Sequence, residues 1–214
     1  MPIRRIPKNY RNVTGMAAHR KAEGTAAFES TLERDFLVLL EFSPEVERFE
    51  VQPVTIEWLN DQSKKRKYTP DVLVSYVSGN SPALFEVKYR SDLKKDWVVL
   101  RPKFKAAIHY AKAQGWRFRI ATEVEIRTPY LANAHFLLPF LRRNPNLSSD
   151  DALLKDALPG LAEATPANLL SHVAHDDQQR TRLLPVLWRM IGLRTIGTDL
   201  DQPLNMNSRL WSRP

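Results

Sequence analysis

The chain has no cysteine. That excludes disulfides, thiolate nucleophiles and cysteine-bound zinc, and it suits a cytoplasmic protein. No run of about 18 or more apolar residues is present, which excludes a transmembrane helix. The opening stretch MPIRRIPKNYRNVTG is basic, but no apolar segment follows it, so no secretory signal is expected. Neither a Walker loop nor a G-x-G-x-x-G turn occurs, which leaves nucleotide binding without support. There is no internal repeat and no low-complexity tract.

What the chain does have is the composition of a folded protein. Of its 214 residues 43% are hydrophobic and 26% charged, enough for one domain of ordinary size plus a small one. Lys and Arg number 32 against 24 acids, a net charge of +8 and a pI near 9.8. Such a balance points to a polyanionic partner, nucleic acid first. Residues 1–24 carry Arg4, Arg5, Lys8, Arg11, His19, Arg20 and Lys21 and read as an arm rather than a packed element. It is either a disordered tail or a phosphate-contacting segment.

From about residue 25 to 42 the apolar spacing (Phe28, Leu32, Phe36, Leu39, Leu40) predicts a helix, stopped at Ser43-Pro44. Alternating runs around Phe49–Val51 and Val54–Trp58 predict strands. A turn at 60–63 leads into the basic run Lys64-Lys65-Arg66-Lys67, then a strand over 68–77 and, after the turn Ser78-Gly79-Asn80-Ser81, a strand over 83–89. A helix is expected over 97–114, closed by Gly115, and a strand over 116–122. This order predicts an α/β domain with a mixed sheet over residues 25–145. The stretch RRNPNLSSDD (142–151) reads as a linker. Residues 146–214 read as a small, mostly helical domain with two short strands near 194–196 and 208–211, a winged-helix-like pattern.

The chemistry concentrates in Tyr68-Thr69-Pro70-Asp71 and Phe85-Glu86-Val87-Lys88. Side chains two apart on a strand share a face, so Glu86 and Lys88 point together while Phe85 and Val87 face the core. The turn length can bring Asp71 beside Glu86 across the hairpin. Two such carboxylates suit a hard divalent cation, which can activate water and polarise a phosphate. A lysine beside them can stabilise the charge that develops. Glu33, on the first helix, is the candidate third acid, with Glu29 one turn away as the alternative.

Pro-Asp followed by Glu-x-Lys resembles the PD-(D/E)xK signature of restriction-endonuclease-like nucleases. Together with Ser30-Thr31-Leu32-Glu33-Arg34-Asp35-Phe36, with Glu47-Arg48-Phe49-Glu50-Val51-Gln52-Pro53 and with the tail Pro203–Trp211, these segments resemble the TnsA family of heteromeric transposase endonuclease subunits. The resemblance implies a restriction-endonuclease-like mixed sheet flanked by helices. It implies Glu33, Asp71 and Glu86 as metal-site acids and Lys88 as the catalytic lysine; some members carry Gln where Glu86 stands. It further implies Mg²⁺, with Mn²⁺ able to substitute. The implied role is cleavage of the 5′ strands at transposon ends in duplex DNA, alongside a TnsB-like transposase and a TnsC-like ATPase regulator, in a bacterial cytoplasm with no membrane partner.

Each residue also has a plainer role. Ser30-x-x-Glu33 fits a capping box, against which stands the apolar stripe that begins at Phe28. Asp71 could be an ordinary strand-edge acid, and Glu86 with Lys88 a solvated edge face. Lys64–Lys67 reads first as a solvated hairpin tip. Lys94, Lys95, Arg101, Lys103 and Lys105, just after the Glu-Val-Lys strand, are candidate phosphate contacts. Gln52 reads as a packing or loop residue. His172 and His175 lack a third ligand, and Trp188 and Trp211 read as core or domain-interface residues. Two other functions compete with the transposition reading: a stand-alone restriction or repair nuclease of the same fold, and a catalytically inert DNA-binding adaptor.

Overall fold

The computed structural model describes residues 15–17, 19–59, 64–142 and 149–213. Arg4, Arg5, Lys8 and Arg11, the turn at 60–63 and most of the expected linker lie outside them. The chain divides into two compact units, residues 1–127 and 128–214.

The first unit opens with three short strands, β1 (Gly15–Ala17), β2 (Ala22–Glu23) and β3 (Ala26–Phe28), then helix α1 (Thr31–Phe42). Strand β4 (Val46–Val51) and the pair β5 (Ile56–Leu59) and β6 (Lys65–Tyr68) follow, then β7 (Val72–Tyr76) and β8 (Ala83–Val87). Helices α2 (Arg90–Lys95) and α3 (Trp97–Ala113), strand β9 (Arg117–Ala121) and helix α4 (Glu123–Ile126) complete it. The main sheet has the order β2-β4-β7-β8-β9. Its inner pairs β4–β7 and β7–β8 are antiparallel and its outer pairs β2–β4 and β8–β9 parallel. A mixed sheet flanked by helices agrees with the expected restriction-endonuclease-like α/β class.

Strand β8 lies inside this sheet and is covered on both faces. Leu84 joins Ile56, Tyr68, Leu100, Phe104 and Ala107 in a core beneath α3. Phe85 faces the other way and meets Phe36 of α1, ring centroids 5.1 Å apart. Helix α3 ends as expected: Gly115 takes φ +73°, and the Trp116 amide donates to the Ala111 carbonyl at 2.8 Å, a left-handed helix stop that glycine allows without Cβ strain.

Three local expectations are corrected. The helix expected from 25 begins only at Thr31, because Ser30 is extended (φ −142°) and its hydroxyl accepts from the Glu33 amide; Phe28 belongs to β3. The single strand expected over 68–77 is two. Pro70 lacks an amide hydrogen and interrupts the ladder, so β6 pairs with β5 while β7 enters the main sheet. The end of the supposed arm is packed. Ala22 and Glu23 pair with β4, and the buried Glu41 accepts from the Arg20 and Lys21 amides, each at 3.1 Å.

The second unit comprises α5 (Pro129–Leu141), α6 (Ser149–Ala157), a 3₁₀ turn (Leu158–Gly160), α7 (Pro166–Val173), α8 (Asp177–Gly192), β10 (Ile196–Thr198) and β11 (Leu210–Ser212). It begins 18 residues before the expected boundary at 146. Helix α5 belongs here because its apolar side packs on α8: Phe136 and Trp188 stack edge-on at 5.2 Å, and a Cβ on Gly192 would meet Leu141 Cδ2 at 2.8 Å. The buried Asn133 clamps the tail, donating to the Leu200 and Gln202 carbonyls at 2.8 Å and accepting from the Leu204 amide at 3.0 Å. Strands β10 and β11 pair antiparallel. Trp211 lies so close over Gly197 that a Cβ there would come within 2.0 Å of its Nε1. Among the described residues no helix is long and apolar enough to cross a membrane.

Candidate active site

The β7–β8 hairpin builds the site. Its register pairs Val72 with Phe85 and Leu73 with Leu84, and one step further along sets Asp71 opposite Glu86. The Asp71 amide donates to the Phe85 carbonyl at 3.0 Å, and the Val87 amide donates to Asp71 Oδ2 at 2.6 Å. Asp71 therefore stands where Pro70 has ended one strand and the next begins, its carboxylate held against the backbone of the neighbouring strand.

Glu86 is 3% exposed, which removes the alternative of a solvated edge face. A buried carboxylate needs partners, and it has three. Tyr68 Oη donates to Oε2 at 2.5 Å. Lys103 Nζ donates to Oε1 at 3.0 Å. Lys88 Nζ stands 3.6 Å from the same oxygen. Glu86 and Lys88 thus share a face, as alternation requires.

Glu33 occupies the third position of α1 and helps to cap it, though not through a full capping box: its carboxylate accepts from the Glu29 amide and the Ser30 hydroxyl, both at 2.8 Å. The capping role is real, and the earlier helix start that argued against it does not exist. Glu33 is nonetheless electrostatically part of the acid group. Its carboxyl lies above the usual range, mainly through desolvation, with the charges of Glu29 and Glu86 adding and its hydrogen bonds opposing. Asp71 is raised well above its usual range, first by desolvation, then by the charges of Glu86 and Glu33. Burial and the charge of Glu86 likewise push the Tyr68 phenol up, so it remains a donor.

Carboxylates close enough to raise Glu33 and Asp71 in this way suit a divalent cation. As they stand, no group of three or more His, Asp or Glu side chains among the described residues is gathered so that it could hold an ion. The donor set nevertheless fits Mg²⁺, which is commonly held by one or two carboxylates together with substrate phosphate oxygens. Asp71 and Glu86 would supply those carboxylates, with Glu33 near enough for its charge to act on Asp71.

The expected phosphate contacts separate into two groups. Lys94 and Lys95 on α2 and Arg101 and Lys105 on α3 are exposed. Lys103 is turned inward onto Glu86, with its ammonium 4.6 Å above the Tyr68 ring. Tyr68 carries no mark of this role in the sequence, and Lys103, expected among the phosphate contacts, lies against Glu86. Helical spacing held the signal, since Lys103 lies between Leu100, Phe104 and Ala107, the buried stripe of α3.

Gln52 was also underread. It is a non-glycine residue in the left-handed region (φ 51°) and 7% exposed, a strained conformation of the kind that collects at functional sites. Its amide donates to the Asp71 carbonyl at 2.8 Å and its side chain to Glu29 Oε1 at 3.2 Å. It therefore ties the Asp71 segment to the segment that caps α1. His172 and His175 are both exposed, Trp188 is buried, and Trp211 is 39% exposed.

No curated protein matches the chain. Residues 43–123 match the family model described as TnsA-like endonuclease N terminal. The match takes in Gln52, Tyr68, Asp71, Glu86, Lys88 and Lys103, and leaves out Glu33 and the second unit. Residues 43–123 are thus similar to the N-terminal domain of TnsA-like endonucleases.

Proposed function

We propose that the chain is a Mg²⁺-dependent DNA endonuclease that cuts the 5′ strands at the ends of a transposon together with a TnsB-like transposase, under a TnsC-like ATPase regulator. The observation that carries this reading is the placement of Asp71 opposite Glu86, with Lys88 at 3.6 Å from Glu86, inside a domain that matches a TnsA-like endonuclease. Bound there, the cation would lower the pKa of a water molecule and polarise the scissile phosphate. Asp71 and Glu86 orient that centre. Lys88 places positive charge beside the phosphate as the P–O bond to the leaving oxygen breaks and the oxygen of water takes its place. Glu33 supplies further negative charge at the α1 end. Lys94, Lys95, Arg101 and Lys105 are exposed cations for the DNA backbone.

The test is to map cuts on a plasmid carrying the ends of the element, with Mg²⁺, in the presence and absence of the partner transposase. Cuts at the 5′ ends that need both proteins support the reading. Site-specific duplex cutting by this chain alone assigns it to stand-alone restriction or repair nucleases instead.

A further inference from the structure

We propose that Lys103 is an internal counter-ion that occupies the cation side of Glu86 in the free protein and has to move off before a divalent metal can bind. This rests on the metal-site reading above and adds to it a residue that competes with the ion.

Glu86 is buried, and both of its oxygens are engaged. Tyr68 holds Oε2, while Lys103 donates to Oε1 and Lys88 stands near the same atom. With Lys103 bonded to Oε1 and Lys88 beside it, a metal bound through that oxygen meets positive charge already in place. Lys88 follows directly on the end of β8, near Glu86, and its side chain is 31% exposed. Lys103 reaches the same oxygen from α3. Its side chain is 21% exposed, and its ammonium is stabilised by the Tyr68 and Phe104 rings at 4.6 and 5.3 Å.

A unit positive charge at hydrogen-bond distance from the ligating oxygen repels a dication at short range. A lysine stem is long and flexible enough to swing the charge away. The Lys103 position is therefore an electrostatic placeholder. It compensates the buried Glu86 when no metal is present and gives way to an ion of higher charge. Tyr68 stays on the other oxygen in either case and keeps the carboxylate oriented.

The experiment is calorimetric titration of the full-length protein with Ca²⁺, a divalent cation used here without DNA. Wild type is compared with Lys103→Met, Lys103→Gln, Asp71→Ala and, as an exposed control on the same helix, Lys112→Met. Removing a charge-assisted bond that competes with the ion should tighten Ca²⁺ binding about three- to tenfold in both Lys103 variants, with Lys112→Met unchanged and Asp71→Ala without uptake. Unchanged or weaker binding in Lys103→Met and Lys103→Gln, with uptake still lost in Asp71→Ala, overturns the counter-ion role and leaves the metal site standing. Uptake that survives Asp71→Ala overturns the metal-site reading and the counter-ion role with it.

Discussion

Replacing Tyr68 by Phe removes one oxygen atom and leaves the ring in place. Tyr68 is 6% exposed, and its ring packs near Phe104 with centroids 6.4 Å apart, so the variant opens no cavity among the apolar neighbours. What it removes is the donor to Glu86 Oε2. A hydrogen bond to a charged buried group contributes about 1.5–3 kcal/mol, and the orphaned acceptor cannot recover it from water. Lys103 and Lys88 still serve Oε1, which places the expected loss near the middle of that range, about 2 kcal/mol. For a unit of this size that is a drop in Tm of roughly 6–10 °C. The assay is urea denaturation and thermal melting of wild type, Tyr68→Phe, Glu86→Gln and the double variant. In the Glu86→Gln background the bond loses its charge, and Tyr68→Phe should cost only about 1 kcal/mol. A Tyr68→Phe melt within about 2 °C of wild type, or an equal loss in both backgrounds, refutes the claim that this hydroxyl holds the Glu86 side chain.

Asp71→Asn should stabilise the fold while abolishing cleavage. An acid whose folded-state pKa is raised takes up protons more readily folded than unfolded, so it penalises the fold at pH above that raised pKa. The penalty fades as pH falls through the raised pKa toward the ordinary Asp range. The Tm advantage of Asp71→Asn should therefore be clear at pH 8 and shrink by pH 5; an advantage that grows toward low pH contradicts the shift. In the second unit, Asn133→Ala strips the tail of three hydrogen bonds, one of them buried, and should cost about 2–4 kcal/mol. Faster hydrogen exchange at Leu204 should accompany the loss, and unchanged protection there contradicts the clamp.

The site was legible in the sequence wherever it depended on strand alternation and pairing. Glu86 and Lys88 are two apart, and the hairpin length sets Asp71 opposite Glu86; both follow from the period of a strand. It was less legible where side chains arrive from elsewhere in the chain. Lys103 lies 17 positions after Glu86 and reaches it across the helix–sheet layer, a contact no local spacing reveals, although the buried stripe of α3 marks its face. Gln52 gave no signal because its left-handed backbone and its bond to the Asp71 carbonyl, 19 positions away, leave no local pattern. At α1 two local patterns disagreed. The apolar stripe from Phe28 suggested an early start, but the extended Ser30, whose hydroxyl accepts from the Glu33 amide, fixed the helix start at Thr31. The boundary between the units was misplaced because Arg142–Asp151 has the composition of a linker. The division instead precedes α5, whose apolar face needs α8.

The most direct test of the account is Mg²⁺-dependent strand cleavage at the transposon ends, measured with the partner transposase for wild type, Asp71→Ala and Lys88→Ala, each verified as folded by circular dichroism. Wild type should cut the 5′ strands, and both variants should lose at least about a hundredfold in rate, the scale of removing a group that stabilises developing charge. Cleavage by Asp71→Ala at the wild-type rate would show that the β7–β8 carboxylates do not form the catalytic centre.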